Sequence, residues 1–137
     1  MWQVYALLAA VFAALTAIFS KLGVRDVDSG LATAIRVGFI LLLTWGMSLY
    51  AGTWREVRQI GGHTWLFLFL SAVATGLSWL CYFKALQLGD VSKVAPLDKL
   101  SVPLAMLLGV PVLGEPCDPT TVAGGSLSTA GPFLLGL

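Results

Sequence analysis

The chain has 137 residues, 58 % of them hydrophobic and only 11 % charged, with a net charge of +1. Ordinary soluble domains carry roughly 25 % charged residues, and a water-facing surface built from this composition would expose more apolar area than water tolerates. The balance leaves little room for a soluble catalytic domain, and without a basic run there is no footprint for nucleic acid.

In windows of about 19 residues, five apolar stretches emerge, at residues 2–22, 31–51, 64–88, 94–113 and 120–137. Runs such as Phe39-Ile40-Leu41-Leu42-Leu43 and Leu66-Phe67-Leu68-Phe69-Leu70 are continuous rather than alternating. They therefore predict helices, because a barrel strand alternates polar and apolar residues over about 10 positions. The fold class that follows is an all-α, polytopic integral membrane protein with about five transmembrane helices in a single domain, residues 1–137. Five crossings would leave the termini on opposite sides of the bilayer.

The first stretch differs from a secretory signal. Met1-Trp2-Gln3 carries no basic region, and no charge appears before Lys21, so a retained helix is expected. Ala6, Ala10 and Ala14 share one of its faces, with Ala9, Ala13 and Ala17 beside it. Such small-residue faces let backbones approach closely, within one chain or against a second copy. Asp28-Ser29-Gly30 offers N-cap chemistry for the second helix, and Ser92 does so for the fourth. Residues 54–58, Trp-Arg-Glu-Val-Arg, read as a short interfacial loop, with Trp2, Tyr50, Trp54 and Trp65 placed where amphipathic rings favour the membrane interface. Leu88-Gly89-Asp90 reads as a tight turn that makes helices three and four a hairpin. In the fourth stretch Pro96 and Pro103 each remove a backbone donor and kink or break the helix. Asp118-Pro119 places a capping carboxylate before a proline, the order of a helix start, and Gly124, Ser128 and Gly131 form a second small-residue stripe.

Catalytic patterns are missing. No phosphate-cradling loop, HExxH or CxxC occurs, and Gly76-Leu77-Ser78-Trp79-Leu80 lacks the closing glycine of a nucleophile elbow. The single histidine, His63, precedes Ser78 by 15 residues, about 22 Å along a helix, and reads as a solvated loop residue. Cys81 and Cys117 have neither disulfide nor metal spacing and read as free thiols. The expectation is a non-enzyme with no catalytic residues, no metal and no cofactor.

The informative constellation is ionisable. Charges within a membrane span are costly and face a bundle interior or a water-filled cavity. Arg36 lies seven residues or so into the second helix, Lys84 six before the turn at Asp90, and Asp98 and Lys99 eight and nine after it. By helical rise all four should reach depths of about 9–13 Å from one interface, with Lys21 on the same side. A polar pocket is the functional expectation; the structural alternative is that Lys84 snorkels while Asp98 pairs with it. Ser71, Thr75, Ser78, Tyr82 and Ala85 share one face of the third helix. That face would suit a polar or amphipathic solute, or interhelical hydrogen bonds. The pathway residues expected are Arg36, Ser78, Tyr82, Lys84, Asp98 and Lys99.

The segment Ser78-Trp79-Leu80-Cys81-Tyr82-Phe83-Lys84-Ala85-Leu86-Gln87-Leu88-Gly89 resembles the Y-F-x-A-L third-helix signature of the EamA family, within the drug/metabolite transporter superfamily. Ser92-Lys93-Val94-Ala95-Pro96-Leu97-Asp98-Lys99-Leu100-Ser101, the closing Leu113-Gly114-Glu115, Arg36 and the Gly124-Gly125 pair are similar to it as well. Members commonly carry two inverted five-helix repeats, and this sequence resembles one. The resemblance implies an exporter or exchanger of small metabolites by alternating access, with helices three and four prominent in the pathway. It is mainly to bacterial sequences, which implies a multi-pass protein of the bacterial cytoplasmic (inner) membrane. The chain departs from the family pattern at Pro111, Pro116, Pro119 and Pro132, where Leu and Ile are usual.

A lone repeat is expected to pair as an antiparallel homodimer. Connections on the N-terminal side carry Arg55 and Arg58, those on the other Lys21, Arg25 and Lys93. Two against three is a weak bias, compatible with dual insertion; counting Arg36, Lys84 and Lys99 it becomes two against six. The partners expected are thus the lipid bilayer, a small-molecule solute and a second copy. The rival is a non-transporting membrane subunit that binds a partner protein or helps to present a lipid-linked carrier.

Overall fold

The computed structural model describes residues 1–114 and 116–135. Among them there is helix and turn but no strand. The order is α1 (Trp2–Gly23), α2 (Ser29–Ala51), a 3-10 helix (Thr53–Gln59), α3 (Gly62–Leu88), α4 (Val91–Asp98), α5 (Ser101–Leu113) and α6 (Pro119–Leu134). Four segments are long and apolar enough to cross a membrane: Trp2–Gly23, Ser29–Ala51, Gly62–Leu88 and Val91–Leu113, the last comprising α4 and α5. An all-α, polytopic membrane architecture is therefore established. The expected fifth crossing is α6, whose 16 residues rise only about 24 Å, against about 30 Å of hydrocarbon. Its expected end at Leu137, and the helix-end Glu115, lie outside the described residues.

The caps explain most boundaries. Asp28 Oδ1 accepts from the Gly30 and Leu31 amides at 2.9 and 3.1 Å and starts α2. Asp118 Oδ1 accepts from Thr121 N at 2.9 Å, its Oδ2 accepts from the Thr120 hydroxyl at 2.7 Å, and Pro119 stands at the first turn of α6. These hydrogen bonds hold the Asp118 carboxyl down at about 2. α2 ends at Gly52, whose φ of +74° is a left-handed conformation that glycine reaches without a Cβ clash. Ser92, expected as a cap, lies inside α4; the capping position belongs to Asp90, which makes no side-chain cap bond. The segment expected as an interfacial loop is the 3-10 helix, and His63 sits in the first turn of α3 with its ring 4.7 Å from that of Phe67, exposed but helical rather than in a loop.

The fourth segment breaks where its prolines lead one to expect. Pro103 has no N–H for the Lys99 carbonyl, and Val102 N donates to it instead at 3.0 Å. Lys99 N and Leu100 N likewise donate to carbonyls three residues back, of Pro96 and Leu97, at 3.0 and 3.1 Å. These tighter bonds make Lys99 and Leu100 a turn between α4 and α5.

Two compact units are resolved by packing, Phe19–Gln87 and the remainder, Met1–Ile18 with Leu88–Leu137. In the first, Val24, Phe83 and Leu86 form the apolar centre and Thr33 is buried with its hydroxyl donating to Ser29 O at 2.7 Å. In the second, α6 packs on α4 and α5. Gly125 is buried there, and a Cβ built on it would stand 3.0 Å from Met106 Sδ. The packed line of α6 thus runs through Gly125 and Pro132, one position beyond the Gly124, Ser128 and Gly131 stripe expected. On α1, Ala17 alone of the six alanines named is buried. Most large apolar side chains are exposed over the rest of the chain, as suits a protein solvated by lipid.

Candidate functional site

Residues 19–87 hold a polar assembly at one end of α3. Lys21 Nζ, in the last turn of α1, donates to the Leu86 carbonyl. Gln87 Nε2 donates to Val24 O at 3.0 Å and to Val27 O at 2.6 Å. Three carbonyls are thereby capped by long side chains, and the connection from α1 to α2 is latched to the end of α3.

Arg36 enters from α2. Its guanidinium carbon lies 3.9 Å from the centroid of the Trp79 ring and 5.3 Å from that of Phe83, within cation–π range. Nη1 donates to Ser20 Oγ at 3.4 Å, and Tyr82 lies within electrostatic reach. Trp79, Phe83 and Leu86 are four and three residues apart, so α3 presents them on one face, and Phe83 and Leu86 are 2 % and 0 % exposed. No carboxylate among the described residues of this unit pairs with Arg36. An embedded cation is therefore held by two rings and a hydroxyl.

The expected pathway residues distribute as follows. Of the other five, Tyr82 alone is within electrostatic reach of Arg36 among the interactions of the described residues. Ser78 is exposed on the flank of that face, in line with Ser71 and Thr75, and the Thr75 hydroxyl turns back to Ser71 O at 2.8 Å. Lys84 is exposed; one residue past Phe83, it points about 100° round the helix from it. Asp98 and Lys99 lie at the break between α4 and α5, where they pair with each other at 3.5 Å, both partly exposed. Sequence reasoning missed Ser20, Trp79, Phe83 and Gln87. The signal available was the i, i+4, i+7 spacing of Trp79, Phe83 and Leu86, which an uninterrupted apolar run conceals.

In the other unit, Pro103, Met106, Val110, Thr121, Val122 and Gly125 line a mostly apolar cleft between α5 and α6, about 440 Å³ in volume, with Cys117 at its edge. Its hydroxyls at Ser126 and Thr129 donate to the Val122 and Gly125 carbonyls, each at 2.8 Å, so the cleft offers few open polar groups. Cys81 and Cys117 are free and exposed, and among the described residues no cluster of metal-ligating side chains occurs.

Four apolar helical segments of spanning length define a polytopic, all-α membrane protein. The EamA-like transporter family model matches residues 1–137, and the chain belongs to that family. It is 48 % identical over 134 residues, 98 % of this chain and 95 % of the relative, to an uncharacterized transporter in the cobO 3' region of Sinorhizobium sp. No solved structure matches the chain.

Proposed function

We propose that this chain is a secondary transporter that exports or exchanges a small polar or amphipathic metabolite across the bacterial cytoplasmic membrane, without catalysis. The observation that carries the reading is Arg36: a guanidinium inside a spanning helix, held by Trp79, Phe83 and Ser20 and unpaired with any carboxylate among the described residues of its unit. An embedded charge is costly, and ionisable groups kept within spanning helices mark substrate or ion pathways. In this reading Arg36, Lys84, Asp98 and Lys99 set the electrostatics of the path, and Ser78 and Tyr82 line it. The interrupted fourth segment supports it, because Asp98 and Lys99 stand at the turn that divides it, and discontinuous helices are used at transport sites.

Flux through proteoliposomes containing only the purified protein is the test. Uptake of a metabolite by wild type, lost in Arg36→Ala or Lys99→Ala variants that still insert, supports the reading. Unchanged transport in both variants removes the pocket, and silence across metabolite classes favours the subunit alternative. The working unit proposed is an antiparallel homodimer, so that two five-helix units rock about a shared site. Reporter fusions at residue 137 should then give signal from both compartments; signal from one side alone defeats the dual orientation.

A further inference from the structure

The Arg36 assembly also points to the chemistry of its ligand. A guanidinium carries five N–H donors in a rigid fork and stays protonated in proteins. Here one donor reaches the Ser20 hydroxyl, at the long distance of 3.4 Å. The rings of Trp79 and Phe83 attract the charge but do not accept full hydrogen bonds. The nearest acids in sequence are otherwise placed. Asp28 caps α2 through the Gly30 and Leu31 amides, and Asp26 and Glu56 lie outside the spanning helices. Lys21 differs from Arg36 in donating to a backbone carbonyl at the end of α3. Arg36 is thus a permanent charge in a poorly hydrated setting, positioned by contacts that leave most of its fork undirected toward protein. Such a group is matched best by a planar or tetrahedral oxyanion that takes two N–H groups at once, and the ring contacts reduce the ordering cost of binding.

We infer that the Arg36 guanidinium, backed by Trp79 and Phe83, is a binding site for one oxyanion group, a carboxylate or a phosphate, carried by a solute or by an anionic lipid headgroup. The inference rests on the transport reading for its physiological use; the chemistry can be tested without flux.

The experiment measures thermal unfolding of the full chain in phosphatidylcholine vesicles with hexanoate, hexanamide or hexylammonium, and separately in vesicles containing phosphatidylglycerol. A rise in unfolding temperature reports preferential binding to the folded state. If the oxyanion comes from a solute, hexanoate stabilises wild type, hexanamide and hexylammonium do not, and Arg36→Gln abolishes the shift. Arg36→Lys keeps the charge but loses the fork, and should weaken apparent affinity about tenfold. If it comes from lipid, phosphatidylglycerol alone gives the Arg36-dependent shift and hexanoate competes with it. Should Arg36→Gln fail to fold, hexanoate titrated against tryptophan fluorescence of wild type and Trp79→Phe provides the second measurement. A response present in wild type and lost in Trp79→Phe supports the site. Equal shifts in wild type and Arg36→Gln, equal shifts with hexanoate and hexanamide, or no response to either oxyanion overturns the inference. Arg36-dependent hexanoate binding without flux of any solute would leave this site standing and sink the transport reading. Flux of a solute without any Arg36-dependent shift from hexanoate or phosphatidylglycerol would do the reverse.

Discussion

Residues 19–87 and the α4–α6 region solve the same problem in different ways. Lipid tails supply no hydrophobic push between helices, so association needs polar contacts or close backbone approach. Residues 19–87 use the first device. Lys21 and Gln87 reach to backbone carbonyls of Leu86, Val24 and Val27, and Arg36 is caged by Trp79, Phe83 and Ser20. The α4–α6 region uses the second, with Gly125 against Met106, prolines inside its helices and a capping aspartate at the entrance to α6. The difference teaches where precision is built in: directional contacts surround the embedded charge, and close approach of Gly125 to Met106 brings α6 to α5.

The comparison breaks first at Phe83. It is buried and supports both the apolar centre and the Arg36 cage, so Phe83→Ala should destabilise the protein most, by about 3 kcal/mol, in a reversible unfolding assay in detergent. Next comes Gln87→Ala, which strips the donor from the Val24 and Val27 carbonyls. It should cost about 1–3 kcal/mol and speed hydrogen exchange around residues 24–28, leaving α5 and α6 unchanged. A global rather than local response would show that the latch is not a separate device.

On the other side, Gly125→Val should overpack the Met106 contact, costing about 1–2 kcal/mol. Met106→Ala should restore much of that loss if shape is what holds α5 to α6. The smallest effect belongs to Asp118. Its carboxyl sits at about 2, below the ordinary value of about 3.9, because the folded cap favours the carboxylate. Its contribution is therefore complete above about pH 4 and is lost as pH falls through about 2. An NMR titration of the Asp118 carboxyl should show a midpoint near 2 in the native protein and a higher one in Thr121→Pro, which lacks the amide donor but keeps the Thr120 hydroxyl.

Much of the architecture was legible because lipid imposes strong rules. Continuous apolar runs announce helices, Asp28 and Asp118 announce their starts, and Pro103 announces the break before Ser101. Ser92 misled because a serine near a helix start is only a candidate cap, and Asp90 lay two residues nearer the turn. The site was half legible. Arg36 and Tyr82 stood out as polar groups in an apolar context. Trp79 and Phe83 did not, because a ring facing a cation and a ring facing lipid look alike in sequence. The cross-chain reach of Gln87 depends on where the α1–α2 connection folds, which no local pattern specifies.

The brevity of α6 has a consequence for the membrane itself. A helix of 16 residues falls short of the average hydrocarbon thickness by about 6 Å. As the fifth crossing proposed, α6 would draw the surrounding leaflets inward. On that proposal the bilayer is a determinant of stability: vesicles of shorter acyl chains should hold α6 against α5 more firmly than thick ones, at a strain of fractions of a kcal/mol per Å, and indifference to acyl-chain length would count α6 out as a crossing.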